Sequence, residues 1–166
     1  KNKYMKNLAE IRSGEFEGME KKIKLSKWKP NYGPLIPHKT AGVTAIGARN
    51  FLIAYNINLN TNDKKIATDI ALDIREQGRN KRNNSGKFVR DKNGAPIKIP
   101  GTLKFCKAVG WYIKEYGLAQ VSMNLTNINE TSIHEAFEET SKQARKRGVR
   151  VTGSELVGLI PLQSLI

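Results

Sequence analysis

Cysteine and histidine are scarce in this chain: one Cys106 and two histidines, His38 and His134, in 166 residues. A lone thiol excludes an intrachain disulfide and any cysteine-cluster metal site, and it fits a reducing cytoplasm. No apolar run approaches the ~20 residues that a bilayer-spanning helix requires, and no stretch has the order of a secretory leader. The phosphate-binding Gly-x-x-x-x-Gly-Lys loop, the Gly-x-Ser-x-Gly elbow and the His-Glu-x-x-His metal helix are all missing. Ser85 and Ser154 lack the context of a nucleophilic triad. Zinc-finger spacing, an aromatic RNP-type strand and a Gly-x-x-Gly clamp, the short marks of nucleic-acid modules, are absent too. No complete catalytic set is present.

Acidic residues are also few. Fifteen Asp and Glu stand against 29 Lys and Arg, a net charge of +14. Such a field attracts anions. Nucleic acid, an acidic membrane surface and a small polyanionic metabolite all satisfy that requirement, so charge alone does not select the partner.

Residues 1–27 read as a charged helical piece, with Leu8, Ile11, Phe16 and Met19 on one face and interruptions at Gly14 and Gly18. It either packs on something else or serves as a solvated linker. From Trp28 to Gly42 the run WKPNYGPLIPHKTAG holds too many prolines and glycines for a regular element. It is a shaped loop, either a binding loop or a connector.

Period-two alternation of Phe51, Ile53, Tyr55 and Ile57 predicts a strand over 51–59, whose other face carries Asn56 and Asn58. Thr61 and Asn62 are helix-cap types, Ile66, Ile70 and Ile74 make an apolar stripe, and Gly78 suits the helix end. Arg79 to Lys107 carries nine basic residues against Asp91 alone, a solvated run with a small hairpin tip at Lys92-Asn93-Gly94. Strands are predicted over 103–113 and 119–125, with a turn at Tyr116-Gly117. A helix capped by Asn127 or Asn129 follows, with Ile133, Ala136, Phe137, Thr140 and Ala144 on one side. An apolar stretch over 149–160 and a start of helix at Pro161-Leu162 close the chain.

The order strand, helix, strand, strand, helix, strand is the α+β, ferredoxin-like βαββαβ pattern, expected here as a mixed sheet with both helices on one face. The other face then carries Asn56 and Asn58 from one strand and Gln120, Ser122 and Asn124 from another. Carboxamides rather than Lys and Glu occupy it, which points to a ligand or a partner; an ordinary wet face is the alternative. His38, beside Lys39 in the proline-rich loop, can hydrogen-bond an anionic or polar ligand.

Three stretches carry a resemblance. WKPNYGP is followed by HKTAGVTAIGARNFLIAYNINL. ALDIREQGR comes next. LAQVSMNLTN is followed, after a helix, by GVRVTGSELVGLIPL. In that order, over about Asn7 to Ile166, they resemble glutamate formiminotransferase. The resemblance implies transfer of a formimino group from N-formiminoglutamate to N5 of tetrahydrofolate in histidine degradation, with folate lying in a channel between two subdomains. It implies no metal, a cytoplasmic homodimer, and no nucleic-acid or membrane partner. Residues 1–42 correspond to the tail of the first subdomain and the folate loop, and 43–166 to most of the second. The family's general-base histidine belongs to a His-Gly-Glu-His-type segment that this sequence does not contain. The expectation is a fragment that does not turn over alone.

The folate-contacting loop of the family falls on Gly33 to Gly42, which makes Gly33, Pro34, His38, Lys39 and Gly42 ligand candidates. Arg49, Arg75 and Arg79 are candidates to clamp carboxylates. Asn56, Asn58, Gln120, Asn124 and Glu155 are candidates to line the channel, where uncharged amides bond a pterin without burying charge. A salt bridge from Glu155 to Arg150 or another basic residue is the plainer alternative. Against the transferase stand a basic ferredoxin-like nucleic-acid module and a domain that only dimerises.

Overall fold

The computed structural model describes residues 8–165. Residues 1–7, the head of the expected helical piece and the start of the family match at Asn7, lie outside the described residues, as does Ile166. The chain divides into two compact units, Lys1–Arg49 and Asn50–Ile166.

In the first unit, α1 (Leu8–Arg12) and α2 (Glu15–Lys22) are separated by Gly14, whose φ of 88° is a left-handed conformation that side chains resist. Gly18 does not interrupt: it lies inside α2, because its backbone is ordinary helix. The Lys22 ammonium donates to the carbonyls of Glu10, Ile11 and Ser13, serving the unpaired end of α1. It also sits 4.5 Å from the centre of the Trp28 ring.

The second unit is built on a four-stranded sheet. Its strands are β1 (Ile53–Leu59), β4 (Cys106–Ile113), β5 (Leu118–Leu125) and β6 (Val151–Val157), in the order β4-β5-β1-β6. Helix α3 (Lys64–Ile74) connects β1 to the β4–β5 hairpin, and α4 (Ile133–Arg145) connects β5 to β6. This is the ferredoxin-like arrangement expected. The sheet is not mixed, however: all three pairings are antiparallel. The strands that run parallel are never neighbours, because β5 inserts between β4 and β1, and β1 between β5 and β6.

Both helices lie on one face. Ile53, Tyr55, Ile57 and Leu59 of β1 and Ala119, Val121, Met123 and Leu125 of β5 are buried against Ala67, Ile70, Ala71 and Ile74 of α3 and Ala136 and Ala144 of α4. Gly110 lets α3 come this close. A Cβ there would stand 2.1 Å from the Thr68 nitrogen and 2.3 Å from the Ala67 carbonyl carbon. Cys106 is buried in the same core, and burial, reinforced by Glu76, pushes its thiol up to about 12.

The caps differ from those expected. Asp63, rather than Thr61 or Asn62, caps α3 by accepting from the Lys65 N–H. Ser132 caps α4 in a reciprocal box with Glu135, whereas Asn127 is spent on a turn of its own, accepting from the Asn129 N–H. The Glu135 carboxyl is held below its usual range by the Ser132 backbone N–H and then by its hydroxyl. Its contribution is therefore present above the unfolded-chain value of about 4.3 and is lost as pH falls through the lower folded value. Ser132→Ala should cost about 1 kcal/mol in urea denaturation near neutral pH. The stability gap between wild type and Glu135→Gln should narrow steadily as the buffer is acidified from neutral to well below the ordinary carboxylate range; a gap that does not change with pH would contradict the box.

The basic stretch is more ordered than a solvated run. Strands β2 (Arg79–Asn80) and β3 (Lys98–Ile99) pair, and between them one turn design occurs twice. Asn83 Oδ1 accepts from the N–H groups of Ser85 and Lys87, and Asp91 Oδ1 from those of Asn93 and Ala95. In each turn the preceding arginine, Arg82 or Arg90, donates to the carbonyl of a left-handed glycine, Gly86 or Gly94, at 2.6 Å. The second turn is the expected hairpin tip.

Candidate functional site

On the sheet face away from the helices, strand register sets polar side chains in rows. Trp111, Gln120 and Asn58 form one row, and Val109, Ser122, Asn56 and Glu155 the next. Lys107 and Asn124 stand in a third, where Asn124 is exposed. Among the described residues, neither α3 nor α4 covers these rows. Of the expected channel residues, Asn58, Gln120 and Glu155 bond directly to one another, Asn56 is buried beside them, and Asn124 lies further along the same face.

The bonds have a fixed direction. Trp111 Nε1 donates to Gln120 Oε1 at 2.7 Å. Gln120 Nε2 donates to Asn58 Oδ1 at 2.6 Å and to Glu155 Oε2 at 3.2 Å. Asn58 Nδ2 donates to Glu155 Oε1 at 3.1 Å. An indole N–H only donates and a carboxylate only accepts, so the two ends determine which way both carboxamides point. Gln120 is fully buried, and every polar atom of its amide is engaged. The expected alternative for Glu155, a salt bridge to Arg150, does not occur: among the described residues no cation stands within ion-pair distance of it.

Trp111 is the member that sequence reasoning missed. The turn at Tyr116-Gly117 places it opposite Gln120, and counting back from that turn would have found it. The residue remains 45 % exposed. Tyr55 is buried on the opposite face. Burial raises the Tyr55 hydroxyl above its ordinary value, and the Ser154 side chain opposes that only in part.

Two of the expected carboxylate clamps have partners within the chain. Arg79 Nε lies 2.6 Å from Asp73 Oδ1, an ion pair too bent for a hydrogen bond, and its Nη2 donates to the Asp69 carbonyl at 2.7 Å. Asp73 also pairs with Arg147, and Arg79 ties β2 to α3. Arg75 Nε donates to the Gly78 carbonyl, closing the end of α3. The two carboxylates of α3, Asp69 and Asp73, one helical turn apart, are the physical reason Arg79 is held at this helix.

In the first unit, His38 and Gly42 exchange both backbone hydrogen bonds, at 3.0 and 2.9 Å, and pinch off a loop. The His38 ring is part of that loop: its Nδ1 accepts from the N–H groups of Thr40 and Ala41, at 3.3 and 3.1 Å. The tautomer that satisfies these donors carries its proton on Nε2. Gly33, Pro34 and Lys39 are exposed along the same loop, and Arg49 is exposed at the unit's end. An open cleft of about 380 Å³ lies within this unit, between α2 and Ala41, Gly42 and Val43, with Arg12 on its rim. Phe16 would meet a Cβ on Gly42 at 3.4 Å.

Among the described residues no three His, Cys, Asp or Glu side chains converge as metal ligands, and no helix is long and apolar enough to cross a membrane.

Residues 54–166 match the formiminotransferase domain, and residues 1–49 match its N-terminal subdomain. The chain is 48 % identical over 165 residues to a formimidoyltransferase-cyclodeaminase of Dictyostelium discoideum, covering 98 % of this chain and 27 % of that protein. It is 42 % identical to the formimidoyltransferase-cyclodeaminase of Sus scrofa, covering 96 % of this chain and 26 % of the relative. It is 41 % identical to a glutamate formimidoyltransferase of Streptococcus pyogenes serotype M1, covering 96 % of this chain and 46 % of the relative. The chain thus spans between a quarter and a half of the length of these relatives. By a domain match over most of its length, it belongs to the formiminotransferase family.

Proposed function

We propose that this chain serves the transfer of a formimino group from N-formiminoglutamate to N5 of tetrahydrofolate, and that it supplies part of the folate slot. The observation that carries this reading is the one-directional amide network around the buried Gln120 on the uncovered sheet face. The amides hold Glu155 as an open acceptor on an otherwise uncharged face, which suits the N–H donors on one edge of a flat pterin ring.

In the reaction, N5 of tetrahydrofolate attacks the formimino carbon. The bond from that carbon to the glutamate nitrogen breaks, and the proton lost from N5 ends on the glutamate nitrogen. Orientation supplies much of the rate, and a base near N5 supplies the rest. His38 is not that base on this reading. Its acceptor nitrogen is used by the loop, and its Nε2–H is a donor for a ligand oxygen. With Gly33, Pro34, Lys39 and Gly42 it forms the folate loop, and Arg49 is left to pair with a ligand carboxylate. The protein works as a cytoplasmic homodimer, with the family's first-subdomain histidine as base and no metal.

Calorimetry with tetrahydrofolate and with single-stranded RNA tests the reading. The expected result is folate binding that changes little with salt, and no turnover when N-formiminoglutamate is added to the 166-residue chain. RNA binding that falls steeply with salt, without folate binding, would overturn it.

A further inference from the structure

Three side chains on this face have their remaining capacity defined by their bonds. Trp111 has used its only donor. Gln120 has used its carbonyl on Trp111 and its amino group on Asn58 and Glu155. Asn58 has accepted from Gln120 and donated to Glu155. Each oxygen of Glu155 accepts one hydrogen bond, Oε1 from Asn58 and Oε2 from Gln120, and each keeps a free lone pair. Both oxygens are held in place by amides that Trp111 orients, and among the described residues no cation neutralises them. A half-buried carboxylate without a cation in a chain of net charge +14 is an acceptor prepared for donors that the described residues do not supply.

We propose that Glu155 binds the planar N–C–N edge of a substrate through its two parallel N–H groups. The inference rests on the function proposed above, because it places one of that reaction's ligands on this carboxylate. Two oxygens fixed about a carbon match two N–H groups fixed about a carbon, as in carboxylate–guanidinium pairs. Two groups in the reaction have this edge. One is the pyrimidine side of the pterin, with N3–H and the 2-amino group. The other is the formimino group, whose protonated amidine carries N–H on both nitrogens. Glu155 is the recognition residue in either case. Trp111, Gln120 and Asn58 are positioning residues that act through it.

The test is a cycle of protein and ligand changes on the full chain, read by calorimetry. Wild type and Glu155→Gln are each titrated with tetrahydrofolate, with its analogue lacking the 2-amino group, with N-formiminoglutamate and with N-formylglutamate, which lacks the second N–H. p-Aminobenzoylglutamate, which has neither edge, is the control. Glu155→Gln should weaken one edge-bearing ligand roughly 10- to 100-fold, should leave the control unchanged, and should then be indifferent to deletion of the matching ligand N–H. The ligand that responds identifies the source of the edge. In case the variant folds poorly, the wild-type preference for each ligand over its N–H-deleted partner is an independent reading. No such preference for either pair would overturn the proposal. Equal weakening of the control would overturn it too, since that signals a collapsed face. Wild type that binds neither tetrahydrofolate nor N-formiminoglutamate would sink the proposed function itself. Binding that Glu155→Gln leaves unaltered would sink only the role of Glu155.

Discussion

Glutamate at position 120 is expected to destabilise the protein by about 3 kcal/mol or more, through the uncompensated charge it places in a buried position. The Trp111 donor would still be satisfied. The group that now donates to Asn58 at 2.6 Å and to Glu155 at 3.2 Å would become an oxygen facing two acceptors. One of those acceptors is charged, and the position is fully buried, so water cannot relieve the repulsion. At about 2–4 °C per kcal/mol the melting temperature should fall by roughly 6–12 °C. Gln120→Leu removes the amide without adding charge and should cost less, about 1–3 kcal/mol, the penalty of leaving its partners short of a bond. The informative variant is the double exchange Gln120→Glu with Glu155→Gln. It moves the carboxylate to β5 and returns an amide donor to β6. Much of the lost stability should come back if the direction of the chain is what matters. A single Gln120→Glu variant as stable as wild type would show that the carboxamides are not oriented as described.

Gly110→Val should be at least as damaging, for a reason unrelated to charge. The atoms a side chain would meet are the backbone of Ala67 and Thr68, with the nearest 2.1 Å away. Backbone cannot rotate aside as a flexible side chain does. Helix α3 would have to rise from the sheet, uncovering Ile70, Ala71 and Ile74. Ordinary overpacking costs about 1–3 kcal/mol, and displacement of a whole helix lies at or beyond the top of that range. A drop of roughly 10 °C or failure to fold is expected, and even Gly110→Ala should be clearly measurable. Near-wild-type stability for the valine variant would mean that α3 does not sit against β4 in this way.

These two residues also show how far the sequence could be read. The ferredoxin-like order was legible because β1 and β5 alternate with period two, and α3 and α4 carry apolar stripes at helical spacing. The polar face was legible for the same reason: Asn56, Asn58 and Gln120 fall on the off-beat. The direction of their bonds was not, since it depends on Trp111 at the far end of the row, and Trp111 enters only once hairpin register is counted. Arg79 is a clamp candidate in the sequence, and the structure pairs it with Asp73. Asp69 and Asp73, four residues apart on α3, carried the signal for its engagement, but the distance from β2 to that helix face is a matter of tertiary packing. The cap of α4 is a different case. The run Ser132-Ile133-His134-Glu135 is a capping-box pattern visible in the sequence, and the asparagines before it were favoured only because turn-forming and cap-forming residues are the same types. Nothing in the composition indicated that the His38 ring would be held by its own loop.

Amide chemical shifts of the ¹⁵N-labelled chain during titration with tetrahydrofolate test the central claim most directly. The side-chain amide resonances of Asn58 and Gln120 and the indole N–H of Trp111 should shift together and saturate at one affinity. Saturable binding that moves resonances elsewhere and leaves these three in place would contradict the account.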